Sequence, residues 1–231
     1  MDCLTDTLWS TISGDIYPAI VGHPFLQGLT SGALSEEAFQ YYLAQDSTYL
    51  AAFGRGLAIL AARSDSPEGF MMFSEHARNT LIVEAALHRE FLQGFSVFNE
   101  PPAWNDLSPN GLLYTSYLIR VARECPYHEA VAAFLPCYWI YRRVGEHLVV
   151  SGSPNALYQR WIDTYSGEAF GAVVREILDL VDSLSPTLPP RGVEHMRRHF
   201  RRTSELEYLF WEAAYTGQKW PFGVESQALA Q

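Results

Sequence analysis

The sequence carries little charge, few cysteines and no long apolar run. Only 18% of its 231 residues are charged, and acids exceed bases enough to give a formal net charge of −10. A general nucleic-acid binder neutralises phosphates with a basic face, so this balance argues against that class. No uninterrupted apolar stretch approaches the roughly 20 residues that span a bilayer. The opening MDCLTDTLWS lacks a basic segment followed by an apolar core, so nothing resembles a secretory signal. Three cysteines, Cys3, Cys125 and Cys137, are too few and odd in number for a disulfide framework, and a reducing cytoplasm is the expected compartment. Repeats of 20 to 50 residues, long polar runs and sustained period-2 alternation are also missing, which excludes solenoids, extended disorder and a sheet-based fold.

What is present is helical periodicity. Leu4, Leu8, Ile12, Ile16 and Ile20 recur every four residues along one side of an expected first helix, which Gly22 and Pro24 end. Ser35 reads as an N-cap, with Glu36 and Glu37 in the first turn and Leu34 and Phe39 placed for a hydrophobic staple; that helix is expected to run to about Arg63. Ser66-Pro67 and Ser108-Pro109 each pair a capping hydroxyl with proline at the first helical position, where its missing N–H costs nothing. Further helices are expected over 127–151, 154–165, 167–184 and 190–217. With short connections around 64–66, 99–107 and 185–189, the chain reads as all-α, a single domain over 1–222 with a tail at 223–231. The basic cluster Arg197, Arg198, His199, Arg201 and Arg202 reads as a solvated helix face or a subunit contact.

Three segments carry candidate chemistry. Tyr42, Asp46 and Tyr49 share a face at i, i+4 and i+7, and a carboxylate on an aromatic face is costly to bury unless it is paired or hydrogen-bonded. Cys137 follows Pro136 inside an otherwise helical stretch, where proline removes one backbone hydrogen bond and kinks the axis; Tyr141 lies one turn further on. Glu207 shares a face with Phe210 and Trp211 while Glu205 points elsewhere, and a glutamate among aromatics should hold its proton near neutrality. Taken singly, Asp46 also reads as a surface or structural aspartate, Cys137 reads first as a small buried cysteine of a core helix, and Glu207 also reads as a surface residue. Together they supply a thiol, two carboxylates and several aromatic rings, an inventory suited to attack on a flat, electron-poor ring.

Motifs along almost the whole chain resemble the TenA/thiaminase II family: His23-Pro24-Phe25, Gln45-Asp46 with Tyr49-Leu50, Tyr114-Thr115-Ser116, Leu135-Pro136-Cys137 with Trp139 and Tyr141, Tyr165, and Glu207 with Phe210-Trp211. The resemblance implies a haem oxygenase-like helical bundle, a homotetramer and an aminopyrimidine pocket in each subunit. It places the catalytic cysteine on Cys137, in the cysteine-containing branch. The aspartate that binds the pyrimidine's amino group and ring nitrogen falls on Asp46, and the proton-handling glutamate on Glu207. Pocket aromatics fall on Tyr49, Tyr114, Tyr141, Tyr165 and Phe210. The implied activity is hydrolysis of 4-amino-5-aminomethyl-2-methylpyrimidine to the hydroxymethylpyrimidine in thiamine salvage, with thiamine as a second substrate, and no metal or organic cofactor.

Two other readings stay open on sequence. The same topology hosts haem- and di-metal-dependent oxidases, and Glu84 with His88, or Glu75 and His76, offers metal-ligand types. A non-catalytic pyrimidine-binding or regulatory protein is the other, although no helix-turn-helix signature points to DNA. His23 is expected to cap or pack a helix start; Cys3 and Cys125 have no motif around them.

Overall fold

A computed structural model describes residues 3–84 and 107–222. Among these residues all regular structure is helical. Ten α-helices follow in order: α1 Leu4–Trp9, α2 Ile16–Val21, α3 Pro24–Ser31, α4 Glu36–Arg63, α5 Pro67–Asn79, α6 Pro109–Glu124, α7 Tyr127–Leu148, α8 Ala156–Ser166, α9 Glu168–Leu184 and α10 Pro190–Thr216. One π-turn, Thr80–Glu84, continues α5, and a 3₁₀ turn, Ser185–Thr187, follows α9. The connection at 99–106 and the tail at 223–231 lie outside the described residues.

The boundaries follow local chemistry. Ser35, Ser66 and Ser108 accept hydrogen bonds from the backbone N–H of Ala38 (3.2 Å), Gly69 (3.0 Å) and Gly111 (3.1 Å), each satisfying an orphan donor of a helix start. Asn155 does the same for α8 through Leu157 at 2.9 Å. At the other end of the chain Gly217 takes the left-handed φ of 62° that stops α10 without a Cβ penalty.

The expected continuous helix from Leu4 to Ile20 is instead two short ones. Thr11, Ser13, Gly14 and Asp15 favour a turn over a helix interior, and the Asp15 carboxylate accepts the Ile16 N–H at 2.6 Å to start α2. Arg201 of α10 holds the same carboxylate at 2.6 Å. All five apolar residues of the predicted stripe are nevertheless buried, so the burial pattern survives the break.

The long helix α10 packs on α4, α6 and α7 and carries α1, α2 and α3 on its other side; α7 in turn packs on α6, α8 and α9, and α5 lies along α4. The core is aromatic where α4, α7, α8 and α10 meet. Tyr42 stacks on Trp211 at 5.4 Å and 9°, and Trp161 and Tyr141 close around them. The basic cluster divides as an amphipathic helix should. Arg197, Arg198, Arg201 and Arg202 pair with Glu194, Asp15 and Glu205, while His199 turns toward the neighbouring helix α7.

Candidate active site

Five helices, α4, α6, α7, α8 and α10, carry the candidate residues. Glu207 on α10 is 1% exposed, and Tyr114 on α6 donates its hydroxyl to Glu207 Oε1 at 2.7 Å. Burial raises the Glu207 pKa to about 8, the Tyr114 hydrogen bond pulls it part of the way back, and the Asp46 charge pushes it up again. Asp46 on α4 is therefore a close neighbour of Glu207, and it is itself buried.

Cys137 on α7 is partly buried and packs against the core. Tyr49 and Tyr114 have phenol pKa values well above the usual range, chiefly through burial, and Cys137 and Glu207 push both further the same way when they ionise. The thiol and the protonatable carboxyl thus act electrostatically on the same pair of phenols. Pro136 sits inside a helix that runs unbroken through it. It has no N–H to offer the Ala132 carbonyl one turn earlier.

Ring contacts tie the remaining candidates to this centre. Tyr49 lies 4.9 Å from Tyr114 and 5.5 Å from Phe210 between ring centroids. Tyr141 lies 4.9 Å from Tyr165, and its phenol, buried first and then influenced by Tyr42, Glu207 and Asp46, is also held well above its usual pKa. The Tyr49 hydroxyl is buried and interacts with the Tyr114 hydroxyl without a well-formed hydrogen bond to it. A buried hydroxyl in that state is costly on its own and is suited to a polar ligand atom.

Other residues named from the sequence surround these candidates without being among the expected site residues. Tyr42 donates to the Tyr141 hydroxyl at 3.4 Å and accepts from Trp161 Nε1 at 3.3 Å, so it positions a pocket tyrosine. Gln45 accepts the Ser108 N–H at 2.8 Å, fixing the start of the helix that carries Tyr114. His76, buried and with its pKa lowered by that burial, lies 3.3 Å from the hydroxyl of Tyr138, next to Cys137, and 3.2 Å from Glu176. Glu75 points to solvent, so these two adjacent residues do not converge. His88 and the Glu84 side chain lie outside the described residues. His23 caps α3 by accepting the Phe25 N–H at 3.1 Å and pairs with Glu212 at 2.9 Å, a structural role. A groove of about 710 Å³ between α4 and α6, lined by Thr48, Arg55, Leu112 and Arg120 among others, contains neither Cys137, Asp46 nor Glu207.

The sequence profile of the TENA/THI-4/PQQC family matches residues 13–217. The chain belongs to this family. An aminopyrimidine aminohydrolase of Bacillus subtilis is 35% identical over 198 residues, covering 86% of this chain and 84% of the relative. A solved TenA homologue from P. horikoshii superposes with a TM-score of 0.86 at 27% identity, covering 94% of this chain and all of its own. A Shewanella denitrificans domain with a heme oxygenase-like fold superposes at 0.72 with 11% identity, covering 94% of this chain and 93% of its own, a likeness of fold alone. The all-α, haem oxygenase-like architecture expected of a TenA-family chain is the one observed. Among the described residues, no helix is long and apolar enough to cross a membrane.

Proposed function

We propose that this TenA-family chain hydrolyses 4-amino-5-aminomethyl-2-methylpyrimidine to its 5-hydroxymethyl counterpart in thiamine salvage, with thiamine as a slower substrate, acting in the cytoplasm as a homotetramer. The observation that carries the reading is the buried Glu207, its pKa raised to about 8, set against Tyr114, Asp46 and the phenols that sense Cys137. The aminohydrolase name of the Bacillus subtilis relative supports the reaction class, and the family resemblance supports the tetramer and the compartment.

Cys137, as thiolate, adds to a ring carbon of the aminopyrimidine, and the ring loses its aromaticity. The electron pair so delivered expels the exocyclic amine. Glu207, protonated at pH 7 by roughly ten to one for a pKa near 8, gives its proton to the departing nitrogen. An exocyclic methylene remains; water adds to it, returning a proton to Glu207, and expulsion of the thiolate restores the ring. The net change is aminopyrimidine plus water to alcohol plus ammonia. Asp46 accepts from the pyrimidine's amino group, and Tyr49, Tyr114, Tyr141, Tyr165 and Phe210 wall the flat ring. The buried Tyr49 hydroxyl supplies a polar contact for it. Splitting one difficult displacement into addition and elimination is the gain that covalent catalysis offers.

Incubation of the purified chain with the aminomethylpyrimidine and, separately, with thiamine tests this. Mass spectrometry should find hydroxymethylpyrimidine from both, with the larger kcat/KM for the aminomethylpyrimidine. A larger kcat/KM for thiamine would make the chain a thiaminase first, and no product from either would overturn the hydrolase reading.

A further inference from the structure

The strongest feature outside the active site is a cluster where the start of α7 meets the middle of α10. Among the described residues it is the only group of three or more His, Cys, Asp or Glu side chains whose donor atoms converge: Cys125, Glu129 and His199 each place one within 4.8 Å of the other two. His199 Nε2 stands 3.1 Å from Glu129 Oε2. Donor atoms around a tetrahedral zinc ion stand roughly 3.3–3.7 Å apart, given bond lengths of about 2.0–2.3 Å. An ion would therefore push His199 and Glu129 slightly apart, a movement within side-chain reach, with Cys125 Sγ no more than 4.8 Å from either.

Each ligand is held from behind. Tyr117 hydroxyl lies 2.8 Å from His199 Nδ1, the outer contact that fixes ring orientation when Nε2 binds a metal. His195 Nδ1 lies 2.8 Å from Glu129 Oε1, which leaves Oε2 to face the centre. Cys125 precedes Pro126, which confines it to extended backbone at φ −91° and ψ 162°. Arg63 Nη2 donates to its carbonyl at 2.6 Å. Glu129 is buried, and among the described residues its side-chain hydrogen-bonding partners are these two histidines, with no arginine or lysine paired to it. Burial keeps His199 toward its neutral, ligating form. Two cations lie near the cluster: Arg63, held on the Ala122 and Cys125 carbonyls, and Arg120, drawn aside over the Tyr117 ring and toward Glu124.

We propose that Cys125, Glu129 and His199 form a binding site for one divalent, borderline-soft transition metal ion of the zinc type, with water in a fourth position. One sulfur, one imidazole nitrogen and one carboxylate oxygen suit zinc and not magnesium or calcium. On binding, the Cys125 thiol loses its proton to solvent, and the proton of neutral His199 resides on Nδ1, where Tyr117 accepts it. The ion would pin the turn before α7 to α10, about 12 Å along that helix from Glu207. The site is separate from the proposed catalytic residues and stands without them.

Cobalt(II) titration of the full chain, stripped with chelator, provides the test, with zinc competition following. One equivalent should give intense tetrahedral d–d bands and a thiolate-to-cobalt charge-transfer band, which zinc abolishes. Cys125→Ser should lose the charge-transfer band and His199→Ala should weaken binding at least about 10-fold, while Tyr117→Phe weakens it by about 10-fold. Cys137→Ser and Cys3→Ser should bind as wild type does. Circular dichroism of each metal-free variant checks that its fold is intact. Absence of a one-equivalent complex in the wild-type chain overturns the proposal. So does a charge-transfer band that survives Cys125→Ser and disappears in Cys137→Ser.

Discussion

Glu207 keeps its proton near neutrality because burial outweighs the hydrogen bond from Tyr114, and Asp46 adds to the effect. The two neighbours therefore act in opposite directions on any step that needs the protonated acid. Rate should fall as pH rises through about 8. Tyr114→Phe removes the stabiliser of the ionised form and should move that alkaline limb to higher pH, whereas Asp46→Asn removes a repelling charge and should move it lower. Profiles of kcat against pH for the three proteins would read this directly, and two shifts of the same sign would contradict it. Stability follows the same carboxyl. Between pH 4.5 and about 8 the folded chain holds a proton that the unfolded chain has lost, so stability falls with rising pH across that window and levels off above it. The whole effect is at most about 4–5 kcal/mol, and Glu207→Gln should flatten it in denaturant titrations made at pH 5 and pH 8.5.

At the scale of elements, α7 is the hub, and its packing is tight where Gly145 passes the backbone of α8. A Cβ there would lie 2.5 Å from the Tyr165 carbonyl carbon and 2.6 Å from Ser166 N, both backbone atoms that cannot swing aside. Gly145→Ala should cost about 1–3 kcal/mol by overpacking and push Tyr165 out of line, visible as a lower Tm and a raised KM. Unchanged values for both would mean that α8 has room to move. Most element boundaries were legible because they rest on local chemistry: the Ser35, Ser66 and Ser108 caps lie within three residues of the N–H groups they serve. The break between α1 and α2 was masked, although Ser13, Gly14 and Asp15 favour a turn, because the five-residue stripe from Leu4 to Ile20 is buried either way. What stabilises the break is Arg201, 186 residues away from Asp15.

Long separations also explain what was hidden in the site. Spacing placed Tyr42, Asp46 and Tyr49 on one face, and Glu207 with Phe210 and Trp211 on another. That the faces meet depends on contacts such as Tyr114 with Glu207, 93 residues apart, for which the resemblance to a family was the only sequence signal. The Cys125, Glu129 and His199 cluster had no motif because its two halves come from different helices.

For the whole molecule, a net charge of −10 disfavours indiscriminate association, so the proposed tetramer requires a specific interface. Light scattering behind size exclusion should give about four times the 26.1 kDa chain mass, and a monomer would remove the tetramer from the account. The central claim is that Cys137, Asp46 and Glu207 act as one hydrolytic centre. Hydroxymethylpyrimidine formation by wild type and by Cys137→Ser, matched for folding by circular dichroism, tests it most directly. The account predicts turnover by wild type and a loss of at least about 100-fold in kcat in the variant, of the size removal of a nucleophile brings. A folded Cys137→Ser protein that turns over at the wild-type rate would contradict it.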